Sequence, residues 1–177
     1  MLAEVQATDP LNPTFSRMQG DLSFLKGNFA QALERYRAAT LADPSFWVGQ
    51  VMMGWCAMRL NNLDQAAQQF ALAERLQPHH PMVACARACL DAITGRVPEA
   101  RAILAGLTQR RQMGYFSAYL LGLISFHLGE LDRMFEFMTE ALEERDPLVF
   151  WFTSGALFAH LKTDGRYLAL RSTANLG

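Results

Sequence analysis

The stretch Gly20-Asp21-Leu22-Ser23-Phe24-Leu25-Lys26-Gly27-Asn28-Phe29-Ala30-Gln31-Ala32 sets the register of the chain. Its turn, Gly27-Asn28, returns as Asn61-Asn62, Gly95-Arg96 and Gly129-Glu130, each 34 residues after the last. Seven places before each turn stands a small residue: Gly20, Gly54, Ala88 and Gly122, with Ala156 one period further. Two places after it stands an apolar one: Phe29, Leu63, Val97 and Leu131. The same spacing carries Ala32, Ala66, Ala100 and Met134, then Tyr36, Phe70, Leu104 and Met138, then Ala39, Ala73, Leu107 and Ala141. A fixed period over several copies marks stacked supersecondary units, none of which buries its apolar face alone.

Each unit reads as two helices. Between the turns, Phe29, Ala32, Leu33, Tyr36 and Ala39 lie at helical spacing, and Glu34, Arg35 and Arg37 take the other side. Asn28 with Gln31, and Asn62 with Gln65, fit helix starts in which a side chain caps and a second one answers it. Asp43-Pro44-Ser45 ends one helix and opens the next, because proline cannot continue a helix interior. Small residues such as Gly20 and Ala32 suit a close helix crossing, where a large side chain would push the axes apart. First helices are expected near 14–26, 46–60, 81–94, 114–128 and 147–162, and second helices near 29–42, 63–76, 97–110 and 131–144.

Composition allows this and excludes several alternatives. Of 177 residues, 51% are hydrophobic and 19% charged, ample for a packed core and unlike a disordered chain. Lys and Arg number 16 against 17 Asp and Glu, so no general basic surface exists to grip nucleic acid or an anionic membrane. Three cysteines are too few for a disulfide scaffold and fit a reduced, cytoplasmic setting. The most apolar stretches, 115–126 and 148–161, fall short of the ~20 residues a membrane span needs. The first residues, Met1-Leu2-Ala3-Glu4, lack the basic start and apolar run of a signal peptide.

The repeated positions resemble the tetratricopeptide repeat, a family of 34-residue helix pairs. The resemblance implies an all-α, right-handed α-solenoid forming a single domain over 1–177. Repeats are expected near 13–46, 47–80, 81–114 and 115–148, with a capping repeat at 149–177. Asp9-Pro10 lies one period before Asp43-Pro44, so residues 1–12 take the place of a remnant helix from a preceding repeat. They fit either a piece of a longer array or a short N-terminal cap. The C-terminal part, through Asp164-Gly165-Arg166-Tyr167, is similar to tetratricopeptide regions of bacterial signalling and regulatory proteins, although Gly165 comes two residues late for the period.

In such a solenoid the first helices line the concave face. Carried onto this sequence, that face comprises Arg17, Asp21 and Phe24; Val51, Trp55, Met58 and Arg59; Cys85, Cys89 and Ala92; Tyr119, Leu123 and Phe126; and Thr153, Leu157 and His160. The Lys/Asn/Arg clamp with which some members hold a C-terminal carboxylate is missing, its positions taken by Val51, Trp55, Cys85 and Cys89. What remains is an apolar groove with aromatic and sulfur side chains, suited to a peptide or an amphipathic helix. The expected role is protein–protein interaction, with a separate protein or another domain of the parent chain as partner. Two other roles use the same features: a sensor for a small apolar ligand or peptide signal, and a scaffold that self-associates as a homo-oligomer.

The remaining constellations read more simply as structure. Cys85 and Cys89 share a helix face and His79-His80 precede it, which is a metal-ligand set or, on the simpler reading, buried thiols and an inter-repeat turn between Pro78 and Pro81. The acidic run Glu130, Asp132, Glu136, Glu140, Glu143, Glu144 and Asp146, against Arg133 and Arg145, reads as a solvated face, with docking of a basic partner as the alternative. Arg110-Arg111 suits the end of a helix. No phosphate-cradling glycine loop or nucleophile elbow occurs, so neither enzymatic activity nor a cofactor is expected.

Overall fold

The computed structural model describes residues 13–114, 116–153 and 157–174, and among them the fold is all-helical. The chain divides into two compact units, Met1–Val83 and Ala84–Gly177. The first holds α1 (Pro13–Leu25), α2 (Phe29–Ala42), α3 (Trp47–Arg59) and α4 (Leu63–Leu76), with α1 packed on α2, α2 on α3 and α3 on α4. Helix α5 (Pro81–Ile93) begins at the boundary. The second unit continues with α6 (Val97–Met113), α7 (Ala118–His127), α8 (Leu131–Glu143), α9 (Val149–Thr153), a 3-10 turn (Ala159–Leu161) and α10 (Gly165–Thr173). There α6 packs on α7, α7 on α8, and α8 on both α9 and α10. Consecutive helices packed in adjacent pairs are the arrangement of a tetratricopeptide-type helical repeat.

The turns explain the strongest part of the period. Gly27, Asn61, Gly95 and Gly129 have φ of 78°, 60°, 84° and 77°. In this left-handed region a Cβ is penalised, and glycine, or less readily asparagine, fits. The residue after each turn sends its amide back to the preceding helix: Asn28 to the Ser23 carbonyl at 2.9 Å, Asn62 to Ala57 at 2.8 Å, Arg96 to Asp91 at 2.8 Å and Glu130 to Ser125 at 2.9 Å. This back-bond satisfies a carbonyl that the ending helix leaves open. Of the two expected caps, Asn62 forms as read: its Oδ1 accepts the Gln65 amide at 3.2 Å and its Nδ2 donates to Gln65 Oε1 at 3.2 Å. Asn28 makes no side-chain cap, because Gln31 turns instead to accept from Ser23 Oγ at 3.2 Å.

Within each pair, a small residue on the first helix meets a large one on the second. A Cβ added at Gly20 would lie 2.7 Å from the Tyr36 ring, one at Gly54 2.2 Å from the Phe70 ring, and one at Gly122 2.7 Å from Met138 Cε. The third copy carries Ala88 in this position, and its partner position holds the smaller Leu104. Size is thus traded between the two helices from copy to copy, keeping the interface close-packed.

The fifth copy departs from expectation. In place of one helix over 147–162, the described residues form α9 at Val149–Thr153 and, after a bend at 157–158, the 3-10 turn Ala159–Leu161. Gly165, read as a turn residue, is the first residue of α10, whose start is capped by Asp164 Oδ1 accepting the Arg166 amide at 2.9 Å. Helix α10 buries Tyr167 and Leu170 while Leu168, in register with the buried Met134, is 50% exposed. The expected remnant helix at 1–12 and the final residues 175–177 lie outside the described residues.

Candidate partner-binding face

In the first unit, α1 places Arg17 and Asp21 one turn apart. Arg17 donates to Asp21 Oδ2 at 2.8 Å, and the Tyr36 hydroxyl on α2 donates to Asp21 Oδ1 at 2.7 Å. Both charged side chains remain partly exposed, whereas Tyr36 is fully buried. Burial and then the adjacent Asp21 carboxylate push the phenol far above the ordinary tyrosine range, so it stays a donor. Arg59, exposed at the end of α3, lays its guanidinium over the Phe29 ring at 5.2 Å. Beneath these groups, Phe24 packs edge-on against Phe29 at 5.2 Å, and Trp55 packs edge-on against Phe70 at 6.1 Å.

That packing corrects the expected exposure. Phe24, Val51, Trp55 and Met58 are buried in the first unit, and Cys85, Cys89, Tyr119, Leu123 and Leu157 in the second. Trp55 is only 7% exposed because the Phe70 ring occupies its flank. Arg17, Asp21 and Arg59 keep accessible surface in the first unit, and Ala92, Phe126 and His160 in the second. The side chain of Thr153 lies outside the described residues.

The second unit brings several expected residues together. Phe126 stacks on His160 at 5.1 Å with rings 30° apart, and meets Phe158 edge-on at 4.9 Å. Cys85 Sγ donates to the Leu120 carbonyl at 3.3 Å. Cys89 and Tyr119 are held well above their ordinary ranges, first by burial and then by the neighbouring Cys85 thiol. In the first unit burial pushes Cys56 up to about 12. All three cysteines are buried out of reach of a dissolved reagent and should be inert. A thiol-specific disulfide reagent at pH 8 is expected to label none of them in the native chain and all three once unfolded. Rapid native labelling would contradict the burial.

The sequence reading missed three polar anchors. Arg111 donates to Glu140 at 3.1 Å, to Glu144 at 2.5 Å and to the Phe116 carbonyl, tying the end of α6 to α8. Asp146, expected on the solvated acidic face, is instead buried, where it accepts from Ser117 Oγ at 2.6 Å and from the Leu148 amide at 2.9 Å. Arg166 stacks over Phe135 at 4.2 Å and pairs with Asp132 at 2.6 Å. With Arg101 on Glu130 at 3.0 Å, much of the acidic run is paired inside the unit, leaving Glu136 and Glu143 exposed. A surface recess of about 410 Å³ lies between α8 and α10 over Phe135, Thr139, Ala169 and Leu170, and includes none of the expected groove residues. Among the described residues, no three of His, Cys, Asp and Glu are grouped to hold a metal ion, and no helix is long and apolar enough to cross a membrane.

Residues 17–81 match the family model for the tetratricopeptide repeat. No curated protein matches the chain. The family match, over part of the chain, together with the helix pairs and the recurring turn, supports a tetratricopeptide repeat protein. The family is a non-catalytic repeat family whose general role is protein–protein interaction.

Proposed function

We propose that the module receives a peptide or amphipathic helix from its partner on the first-helix face, α1 and α3, and that accessible charged and aromatic groups make the contacts. The supporting observation is the set of anchored polar groups over a packed floor. Arg17 and Asp21 are tied to the buried Tyr36, and Arg59 is steadied over Phe29. Side chains already held in place lose less freedom on binding. A partner segment with an acidic group for Arg59 and an apolar side chain for the rim of Phe29 fits this chemistry. On this reading the buried Val51, Trp55 and Met58 support the face from below.

Capture from source lysate, comparing the native chain with a folded Arg17→Glu/Arg59→Glu variant, tests it. The expected result is a partner recovered by the native chain and reduced at least tenfold by the variant. A partner held equally by both, and lost instead with Glu136→Lys/Glu143→Lys on α8, would move the site to the acidic helix.

A further inference from the structure

Helices α8 and α10 leave a gap between them. Ala169 on α10 stands one period after Phe135 on α8, a methyl group where the preceding copy carries a ring. Helix α10 buries Tyr167 and Leu170, each one place short of where the period from the buried Met134 and Phe137 would put it. One residue is about 100° around a helix, so α10 turns a different side to its neighbours than the period implies. Beside α8 this leaves the recess of about 410 Å³.

The recess has an apolar floor and an acidic rim. Phe135, Ala169 and Leu170 line it, and the carboxylates of Asp132 and Glu136 stand at its edge, both residues exposed. Its arginine is already engaged: Arg166 pairs with Asp132 at 2.6 Å and Asp164 at 2.9 Å while stacking over Phe135. Among the described residues Glu136 forms no ion pair. Three carboxylates against one guanidinium leave negative charge in excess, which attracts a cationic guest. A second recess of about 490 Å³ shares Asp132 and Arg166 and reaches the turn at Gly129-Glu130, where Arg133 faces Glu130 at 3.7 Å. The acidic edge thus continues past Arg166.

We propose that the recess between α8 and α10 docks a partner protein segment in which an apolar side chain neighbours a lysine or arginine. The apolar side chain sits on Phe135, Ala169 and Leu170, and the cation pairs with Glu136. A small-molecule site usually buries roughly 70–90% of its ligand, which a recess open along the surface does not do. An anchor side chain held by a larger partner fits it better. The anchor supplies most of the affinity, and the rim carboxylate speeds encounter and rejects acidic partners. The site lies wholly in the second unit and does not depend on the α1 and α3 face.

Selection of a phage-displayed random peptide library on the full native chain tests it. One enriched class is expected to carry Lys or Arg beside Leu, Ile, Phe or Trp. Its synthetic peptides should bind at least tenfold more weakly to Ala169→Trp, which fills the recess, and to Glu136→Lys, which reverses its rim. Both positions are exposed, so both variants should melt as the native chain does. Arg17→Glu/Arg59→Glu should leave these peptides unaffected, which separates this site from the α1 and α3 face. Failure to enrich any such class would overturn the proposal. So would peptides of that class that bind both recess variants as tightly as the native chain, or that are lost only with Arg17→Glu/Arg59→Glu.

Discussion

Replacing Gly54 by alanine is expected to destabilise the first unit by about 1–3 kcal/mol, the usual range for an overpacked core. The added Cβ would sit 2.2 Å from Phe70 Cε1 and 2.6 Å from Cδ1. The ring has little room to retreat, because Phe70 is buried and Trp55 packs edge-on against it. Relief therefore has to come from a shift of α4 against α3. Thermal or denaturant melts of the single variant measure the loss.

The partner substitution decides the mechanism. Gly54→Ala/Phe70→Leu places in the second copy the pair that the third copy holds natively, Ala88 with Leu104. Phe70→Leu alone leaves a void and also costs stability. Together the changes should cost less than their sum, with a favourable coupling of roughly 0.5–3 kcal/mol for residues in contact. Gly122→Ala should be milder, since the nearest atom is the methyl of Met138, the far end of a flexible side chain. An unperturbed Gly54→Ala, or strict additivity in the pair, would refute the account of size traded across the helix crossing.

The same register explains how much of the molecule was legible in its sequence. The bounds Phe29–Ala42 and Leu63–Leu76 were read to the residue, because a positive-φ turn, a following helix start and a fixed period all speak locally. The exposure of the face was not legible. Val51, Trp55 and Met58 repeat at helical spacing whether they point into a groove or into a neighbour, and a helix buried on nearly every side has the same letters. Helix α7 shows this: from Ala118 to Ser125 every residue is buried. The clamp by Arg111 was hidden for a different reason, since Glu140 and Glu144 lie 29 and 33 residues away and only the fold, with α6 packed on α7 and α7 on α8, brings them together. In the fifth copy the period alone did not reveal that the described residues close with the 3-10 turn Ala159–Leu161 and the displaced helix α10.

Asp146→Ala should cost roughly 2–3 kcal/mol in the second unit, where hydrogen bonds to a charged acceptor are lost together. The carboxylate is almost fully buried, and each oxygen has work to do. Oδ2 accepts from Ser117 Oγ at 2.6 Å and lies 3.5 Å from the Tyr119 amide, both at the start of α7. Oδ1 accepts the Leu148 amide at 2.9 Å, just before α9. A negative group at a helix N-terminus also meets the positive end of the helix dipole. Alanine leaves these donors without their acceptor in a space too dry to replace it. Asp146→Asn keeps one oxygen and the shape but gives up the charge, so its loss should be smaller. Glu143→Ala, an exposed carboxylate on α8, serves as the control and should stay within about 0.5 kcal/mol. In a repeat protein each copy contributes its own stability plus terms with its neighbours. Asp146→Ala should therefore weaken the fourth and fifth copies most, seen as faster amide exchange in α7 and α10 than in α3. Uniform acceleration through α3 as well would mean that the chain opens as one cooperative block and that the anchor acts on all of it.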